Sequence, residues 1–340
     1  MKAAVFHGAG EGLRIEDVPT PAARAGEIVL KVAYCGICGT DVHATEASAF
    51  TLPAGTVLGH EFSGTVVESQ SPDWRVGDLA IGIPLLECDA CKPLGECRKG
   101  LGICCDKNRI VGLAATAPGA YAEYVRLGAR HALRVPASVD LKLAALVEPL
   151  AVGAHAVRLA GPVAGRRVLV VGAGPIGLSV TCSAVACGAA HVTVIERSAA
   201  RRAHAARLGA HVVLTGEEDW KTATAGAGGA PPDVIFECTA VPGMIQRCID
   251  MLAVQGMIAV VGVNVHQDII YPRLAMNKEV RVVFPRGYTP ADFESALAIV
   301  SAGKVDLGGL VTRVVPLDEL PQTFEELRAP TEQVKVLVSL

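Results

Sequence analysis

Three side chains that can bind a metal ion lie close together in the N-terminal part of the chain. They are the thiol of Cys38, the imidazole of His60 and the carboxylate of Glu61, within about two dozen residues. These are ligand types that hold a catalytic zinc ion while one coordination position stays open. Such a zinc ion acidifies an oxygen atom that binds it. The residues therefore predict Lewis-acid chemistry on a hydroxyl or carbonyl group.

The composition narrows the classes of protein and of partner. With 340 residues the chain is long enough for two domains, and 51% hydrophobic with 19% charged residues indicates a globular protein. The net charge of −3 gives no electrostatic reason to expect nucleic acid or an anionic membrane surface as a partner. We expect a small-molecule partner instead.

One uncharged span resembles a membrane helix by its length alone. Val168–Ile195 contains no Asp, Glu, Lys or Arg, and its length would suffice to cross a bilayer. The segment Gly172–Pro175 interrupts it, so we predict a buried strand, a turn and a core helix instead. The N-terminal apolar run is too short for a signal peptide. We therefore expect a cytoplasmic protein with no membrane partner.

The hydrophobic pattern indicates two kinds of domain. Up to about residue 135 it is β-rich, with short β-branched runs such as Val29–Tyr34 and Gly64–Glu68. From about residue 150, brief apolar runs alternate with helical stretches, which is typical of parallel βαβ units. In this part we predict strands over Val168–Val171, Val192–Ile195, Val212–Leu214, Val234–Phe236 and Ile258–Val261, and helices over Ser198–Leu208 and Pro242–Leu252. After about residue 285 we predict a helix over Pro290–Ala302, a strand over Leu310–Val315, a helix over Asp318–Leu327 and a strand over Val334–Val338.

A glycine motif follows the first of these parallel strands. Gly172, Gly174 and Gly177 match the pattern G-x-G-x-x-G between a strand and a helix. Such glycines make a tight turn, let the backbone approach a pyrophosphate, and let the helix pack on the strand. The helix N-terminus then offers N–H donors to the phosphates. Because Glu196 stands nineteen residues further on, where an acid would bind the ribose hydroxyls, the sequence predicts a dinucleotide site.

The charge at Glu196 bears on which dinucleotide binds. A carboxylate repels a 2′-phosphate, which favours NAD over NADP. Arg197 and Arg201 weaken that preference, since either could pair with such a phosphate. Arg201, Arg202 and Arg207 also fit a solvated helix face, which is the interpretation we favour.

A second cluster of cysteines predicts a different kind of metal site. Four thiolates that close one loop saturate a tetrahedral zinc ion, so that such a site is structural. The chain has eleven cysteines and no export signal, which argues against a disulfide framework. A free thiol cluster or one disulfide pair remains the alternative. The candidate ligands are Cys88, Cys91, Cys97 and one of the adjacent pair Cys104 and Cys105.

Taken together, the chain resembles the zinc-containing medium-chain alcohol dehydrogenases over essentially its full length. Within that family it looks most like the polyol, butanediol and threonine dehydrogenase branch, because Glu148 stands where the ordinary alcohol enzymes carry a cysteine ligand. The segments that carry the resemblance are Cys38–His43, Gly59–Gly64, Val76–Asp78, the four-cysteine lobe, Val147–Leu150, and the glycine motif with Glu196.

The resemblance implies an α/β fold of two domains. A β-rich, GroES-like catalytic domain would comprise residues 1–150 and 286–340, with a structural zinc lobe at 86–106, and a doubly wound Rossmann domain would comprise residues 151–285. It also implies a homo-oligomer, a dimer formed through the nucleotide-binding domain and usually a tetramer. Met257–Val263 could pair across the two-fold axis, although this apolar strand could equally be internal.

Two zinc ions per chain are implied. The catalytic ion would lie on Cys38, His60 and Glu61, with Glu148 as a fourth ligand or as a nearby carboxylate that exchanges with water. The structural ion would lie on the four-cysteine lobe, where an eight-residue step after Cys97 favours Cys105 over Cys104. The gap from Cys91 to Cys97 is longer than usual in the family and makes Cys97 a less secure ligand. Cofactor contacts are expected from Gly172, Gly174, Pro175, Ile176, Gly177, Glu196, Arg201 and Val261.

The segment that follows Cys38 contains side chains that fit proton transfer and the orientation of His60. The hydroxyl of Thr40 could meet the reacting oxygen, and His43, one helical turn further, could pass the proton through the ribose to solvent. Asp41 fits an acceptor for the His60 ring N–H, which would fix its tautomer. Thr40 could instead be a helix N-cap, and a lone histidine such as His43 is commonly a surface or core residue.

The sequence thus predicts an oxidoreductase that transfers a hydride between NAD and a secondary alcohol, either a polyol, diol, cyclitol or hydroxy amino acid. A metal-free quinone or enone reductase of the same fold and a non-catalytic nucleotide-binding protein are the alternatives. Specificity is expected in loops around Phe50, Leu113, Cys238–Val241 and Phe284–Tyr288.

Overall fold

The computed structural model divides the chain into two units. It describes residues 1–46, 52–86, 88, 91, 102–105, 107–216, 229–329 and 331–340. The first unit comprises Met1–Glu148, Thr289–Ser301 and Val311–Leu340, and the second comprises Pro149–Tyr288 and Ala302–Leu310. The main difference from the predicted domain limits is the segment Ala302–Leu310, which belongs with the second unit.

The secondary structure is numbered in chain order. The strands are β1 (Lys2–Phe6), β2 (Leu13–Asp17), β3 (Glu27–Gly36), β4 (Thr56–Val57), β5 (Glu61–Ser69), β6 (Leu79–Gly82), β7 (Leu85–Leu86), β8 (Arg109–Ile110), β9 (Tyr124–Gly128), β10 (Ala132–Arg134), β11 (Arg167–Val171), β12 (His191–Ile195), β13 (Val212–Leu214), β14 (Val234–Glu237), β15 (Met257–Val260), β16 (Arg281–Val283), β17 (Val311–Pro316) and β18 (Lys335–Ser339). The α-helices are α1 (Gly39–Ala44), α2 (Leu141–Ala144), α3 (Val147–Ala160), α4 (Pro175–Ala186), α5 (Ala199–Arg207), α6 (Met244–Met251), α7 (Pro272–Asn277), α8 (Pro290–Ala302) and α9 (Leu320–Glu326).

The first unit is built on a largely antiparallel sheet. Its seven strands run in the order β10-β6-β5-β3-β18-β17, and β9 pairs with β3 as well. The strands are rich in β-branched and apolar residues, which suit a pleated, half-buried surface. Side chains such as Leu30, Phe62 and Phe324 are fully or almost fully buried in one core cluster. This core fixes the strands whose ends carry the candidate metal ligands.

The pairing of β3 with β5 brings those ligands together. Gly36, at the end of β3, stands opposite Glu61, at the start of β5. Cys38 follows β3 by two residues, and His60 precedes β5 by one. Gly59, which precedes His60, has a φ of 93°, a conformation that residues with a Cβ rarely adopt. Strand pairing thus places the three donors at one end of the sheet.

The second unit is a parallel sheet of six strands in the order β13-β12-β11-β14-β15-β16. This order reverses at β11 and β14, as in doubly wound dinucleotide-binding folds. The uncharged span Val168–Ile195 forms the end of β11, α4 and β12, so the predicted strand, turn and helix are confirmed. Within the described ranges, we find no helix with the length and apolar character needed to span a membrane.

The structure contradicts the pairing of Met257–Val263 across a two-fold axis. β15 bonds to β14 on one side and to β16 on the other, so it lies inside the sheet. Its four residues are all buried, which is typical of an interior strand of a parallel sheet. The strand at this end of the sheet is β16, which the sequence analysis missed.

Candidate active site

Cys38, His60 and Glu61 form a group of metal-binding donors. One ligand atom from each lies within 4.8 Å of the ligand atoms of the other two. His60 and Glu61 are buried, whereas Cys38 is half-buried. Soft sulfur, imidazole nitrogen and one carboxylate suit a zinc ion, and three protein ligands leave a position for substrate. The residues present therefore fit the zinc ion that the sequence predicts.

Asp41 fixes the orientation of His60. Its Oδ1 lies 3.0 Å from Nδ1 of His60, which leaves Nε2 as the ring atom for a metal. Its Oδ2 accepts hydrogen bonds from the Tyr121 hydroxyl at 2.7 Å and from the Cys38 backbone N–H at 3.3 Å. Burial and the Asp41 carboxylate raise the pKa of Tyr121 well above its ordinary value, so that its hydroxyl stays a donor. Tyr121 had no signal in the sequence, since it lies eighty residues from Asp41.

Cys38 also begins helix α1. Its Sγ accepts the backbone N–H of Thr40 at 3.4 Å, while the Asp41 carboxylate accepts the backbone N–H of Cys38. Together these bonds form a capping box with a thiol in the place of the usual hydroxyl. The N-cap is therefore Cys38, and the alternative assignment of Thr40 as the N-cap is wrong. Thr40 and His43 are exposed residues of this helix, and the side chain of His43 is 67% exposed.

Arg328 holds the other end of α1. Its guanidinium donates to the backbone carbonyl of Val42 at 3.2 Å and to the hydroxyl of Thr45 at 2.8 Å. A carboxylate of Glu325 in turn lies 2.6 Å from Nε of Arg328. A cation at the C-terminal carbonyls of a helix is favourable. Arg328 therefore fixes the helix that carries Thr40 and His43, and the sequence analysis did not identify it.

Glu61 lies against a lysine and a glycine. Nζ of Lys335, the first residue of β18, is 2.7 Å from both carboxylate oxygens of Glu61. A Cβ at Gly36 would stand 2.0 Å from Oε2 of Glu61, so a side chain at position 36 would displace the carboxylate. Burial would lower the pKa of Lys335, but the charges of Glu61 and Cys38 hold it above its ordinary value. The signal that was missed is a lysine in the apolar run of a buried strand.

Glu148 lies in the same unit but is not one of these three donors. Glu148 lies in the first turn of α3 and is 6% exposed. Its carboxylate is not among the three donors that lie within 4.8 Å of one another. The negative charge of Glu148 also favours the charged form of Lys335.

The second group of metal-binding donors comprises Cys88, Cys91 and Cys105. Their sulfur atoms lie 3.2, 3.5 and 3.6 Å from one another. Cys105 is buried, whereas Cys104 is exposed and stands outside the group. Three thiols at these separations fit a closed zinc site. Cys97, the remaining predicted ligand, lies outside the described residues, as does Phe50 among the predicted specificity positions.

The glycine motif of the second unit is shaped for a phosphate group. A Cβ at Gly177 would stand 1.9 Å from the carbonyl oxygen of Gly172, whereas a Cβ at Gly174 would meet no atom within 4 Å. Helix α4 begins at Pro175 with Gly174 as its N-cap, and no side chain caps it. Open space in front of uncapped N–H groups is what a pyrophosphate requires. The turn therefore fits a dinucleotide.

Glu196 lies beside this turn. Its two oxygens accept the backbone N–H groups of Ala173 and Ser198, each at 2.8 Å. Arg202 donates to the carbonyl of Glu196 at 2.9 Å, and Arg197 is exposed. The remaining predicted cofactor residues are Ile176 and Arg201, both half-buried, and Val261, whose backbone N–H donates to the carbonyl of Glu237 at 2.8 Å.

Comparisons with known proteins agree with both halves of this description. Residues 24–137 match the family described as the alcohol dehydrogenase GroES-like domain, and residues 175–302 match the family described as zinc-binding dehydrogenase. The chain is 33% identical to 2-dehydro-3-deoxy-L-galactonate 5-dehydrogenase of Pseudoalteromonas atlantica over 328 residues, which cover 93% of this chain and 92% of the relative.

Solved structures show the same fold over the whole chain. The crystal structure of 2R,3R-butanediol dehydrogenase from Bacillus subtilis superposes with a TM-score of 0.90 at 30% identity, covering 100% of this chain and 99% of that one. A zinc-binding dehydrogenase from Sinorhizobium meliloti bound to NADP gives a TM-score of 0.90 at 29% identity, with the same coverage.

The glycine turn gives a prediction that separates folding from binding. We expect Gly174→Ala to keep the thermal stability of the protein but to weaken dinucleotide binding, because its Cβ enters space that only a ligand would fill. We expect Gly177→Ala to lower stability by roughly 1–3 kcal/mol or more, because its Cβ overlaps a backbone oxygen. Calorimetric titration with NAD and NADP and thermal unfolding of both variants measure this. Undiminished binding of both dinucleotides to Gly174→Ala would contradict it.

Proposed function

Because the chain belongs to the zinc-dependent medium-chain alcohol dehydrogenase family, whose chemistry acts on CH–OH groups, we propose that it oxidises a secondary alcohol of a diol, polyol or sugar acid to the ketone with NAD. The donor group of Cys38, His60 and Glu61 carries this proposal. Two relatives are named for activity on a sugar acid derivative and on a butanediol, and these names support the substrate class.

A zinc ion would be held by Cys38, His60 and Glu61, with Glu148 as a fourth ligand or as a nearby carboxylate. When bound, it would supply Lewis-acid chemistry that lowers the pKa of the substrate hydroxyl. Asp41 holds Nδ1 of His60 through a 3.0 Å contact, which would leave Nε2 to bind the ion. Thr40 and His43 would carry the released proton toward solvent, a role that the exposure of the His43 ring supports.

The nicotinamide cofactor supplies the hydride acceptor when bound. The chain would hold its pyrophosphate at the N-terminus of α4, above Gly174, and its ribose at Glu196. A second zinc ion on Cys88, Cys91, Cys97 and Cys105 would be structural. The relatives are dehydrogenases and the donor group of the first site is complete, so neither a metal-free reductase nor a non-catalytic protein is favoured.

Removal of one thiol tests the function directly. We expect Cys38→Ser to lose most of its alcohol-dependent reduction of NAD and about one of two zinc ions per chain, because the hydroxyl is a far weaker ligand than the thiolate. Metal analysis, and NADH absorbance with a panel of diols, polyols, cyclitols, sugar acids and threonine, measure both. Cys104→Ser is the matched control and should keep activity and both ions, since Cys104 is exposed and outside the cysteine group. A folded Cys38→Ser variant with full turnover would refute the proposed mechanism.

The proposed preference for NAD rests on the charge of Glu196. We expect the wild-type protein to have a higher kcat/KM with NAD than with NADP. In Glu196→Ala, the ratio of kcat/KM with NAD to kcat/KM with NADP should fall by about tenfold. The variant would lose a hydrogen bond to the ribose and a charge that repels the 2′-phosphate. The ratio is the right measurement, since loss of the contacts to Ala173 and Ser198 would affect both cofactors alike. A wild-type preference for NADP, as found bound in one structural relative, would contradict this assignment.

We further propose a homodimer in which β16 of one protomer pairs with β16 of the other. Unpaired strand edges flanked by apolar side chains are typical interfaces, and a two-fold axis lets one surface pair with itself. Exposed apolar residues that follow β15 or adjoin β16 support this, with exposures of 85% at Val263, 81% at Val265, 71% at Met276 and 68% at Phe284.

The oligomer has its own test. We expect light scattering with size-exclusion chromatography to give a dimer or a tetramer for the wild-type protein and smaller species for Val265→Asp, because a buried carboxylate without a partner disfavours the interface. Val76→Asp is the control, since Val76 is 69% exposed and lies in the other unit. A monomeric wild-type protein would contradict the proposal.

A further inference from the structure

Glu61 is already bound by a cation that belongs to the chain. Both of its oxygens lie 2.7 Å from Nζ of Lys335, which also donates to the backbone carbonyl of Ile37 at 3.3 Å. The side chains are 1% and 4% exposed. A buried charge without a partner is strongly unfavourable. Each of these two residues therefore stabilises the other inside the folded chain.

The local backbone is built to hold this pair. The β18 residue Leu337 stands opposite Gly36, and Gly36 stands opposite Glu61 on the other side of β3. The absence of a Cβ at Gly36 leaves the space that the carboxylate of Glu61 occupies. Glu61 thus lies in a slot between the backbone of β3 and the ammonium group of Lys335, with its position set from both sides.

The same carboxylate belongs to the donor group of the metal site. A carboxylate has lone pairs enough to accept from an ammonium group and to bind a metal at once. The two cations repel each other, however, and each weakens the attraction of Glu61 for the other. A zinc ion at this site would therefore compete with Lys335 for one buried negative charge.

Lys335 also changes the charge balance of the whole site. Glu61, Asp41 and Glu148 are carboxylates in one unit of the protein, and Cys38 would add a further negative charge when it binds zinc as a thiolate. Zinc would contribute two positive charges and Lys335 one. Without the metal, Lys335 neutralises part of this negative charge, which lets the chain around the donor group stay folded. With the metal, its charge opposes zinc binding.

We propose that Lys335 is a positioning residue that competes with zinc for Glu61, holding the carboxylate in place in the metal-free protein and making it a weak, exchangeable ligand in the zinc-bound one. This inference rests on the proposed zinc site. It predicts that loss of the lysine charge tightens zinc binding and destabilises the metal-free protein, which is the opposite of what loss of a merely supportive residue would do.

Zinc affinity is the decisive measurement. The dissociation constant at the Cys38 site is obtained by competition with a chromophoric chelator, with Cys38→Ser used to identify the ion that belongs to this site. We expect Lys335→Met to bind that ion about tenfold more tightly than the wild-type protein, on the scale of one charged hydrogen bond. Lys335→Arg should bind it as the wild-type protein does, because its planar fork also pairs with both oxygens of a carboxylate.

Stability without metal gives the second measurement. Metal-free Lys335→Met should unfold at a lower temperature than the metal-free wild-type protein, and zinc should raise its unfolding temperature by a larger amount. Lys278→Met is the matched control. Nζ of Lys278 donates to the backbone carbonyls of Ile249, Asp250 and Leu252 in the other unit, so its loss should lower stability without any change in zinc affinity.

Wild-type or weaker zinc affinity in Lys335→Met would overturn the proposal. Should this variant fail to fold without metal, Lys335→Gln takes its place, since it keeps an N–H donor without the charge, and it must also bind zinc more tightly than the wild-type protein. In a Glu61→Gln background, either substitution should tighten zinc binding by less than it does in the wild-type background, because the competition for the carboxylate is lost and only the direct repulsion between the two cations remains. An equal gain in both backgrounds would contradict the role of Glu61. A wild-type protein with no Cys38-dependent zinc would instead refute the proposed function itself.

Discussion

The alignment of β3 with β5 is the constraint on which the proposed metal site depends. The two strands carry no complete set of ligands on their own, and the donors meet because Gly36 stands opposite Glu61. A shift of one residue in this pairing would turn the side chain of Glu61 to the other face of the sheet. The buried core around Leu30 and Phe62 resists such a shift, since it would also expose those side chains. Packing of side chains that bind no metal thus fixes the geometry of the proposed ligands.

Around that pairing, polar groups are arranged so that few buried charges stand alone. Asp41 is shared between His60, Tyr121 and Cys38, and Glu61 is shared between Lys335 and the proposed metal. A carboxylate that accepts several donors cannot rotate without losing more than one bond. The site is therefore rigid before a ligand arrives, as preorganised electrostatic catalysis requires.

Much of this could be predicted from the sequence, because its signals are local. The glycine turn, the strand that precedes it and the acid at Glu196 lie within one βαβ unit, and α8 has the predicted bounds Pro290–Ala302. What escaped prediction depends on partners distant in the chain. Lys335 is 274 residues from Glu61, and Arg328 is 286 residues from Val42. Between the adjacent thiols Cys104 and Cys105, the residues alone left the choice open, whereas the spacing of the family favoured Cys105, which is the one that lies in the cysteine group.

The double role of Cys38, as proposed metal ligand and as the residue that caps α1, restricts how this position can change in evolution. A histidine could bind zinc but would cap the helix poorly, and a serine could cap the helix but would be a poor ligand. Aspartate satisfies both requirements, since it is among the best N-caps and its oxygen binds zinc. A change from cysteine to aspartate at position 38 would therefore keep both the N-cap of α1 and a side chain that can bind zinc. A change to another type of ligand would require a different N-cap for the helix.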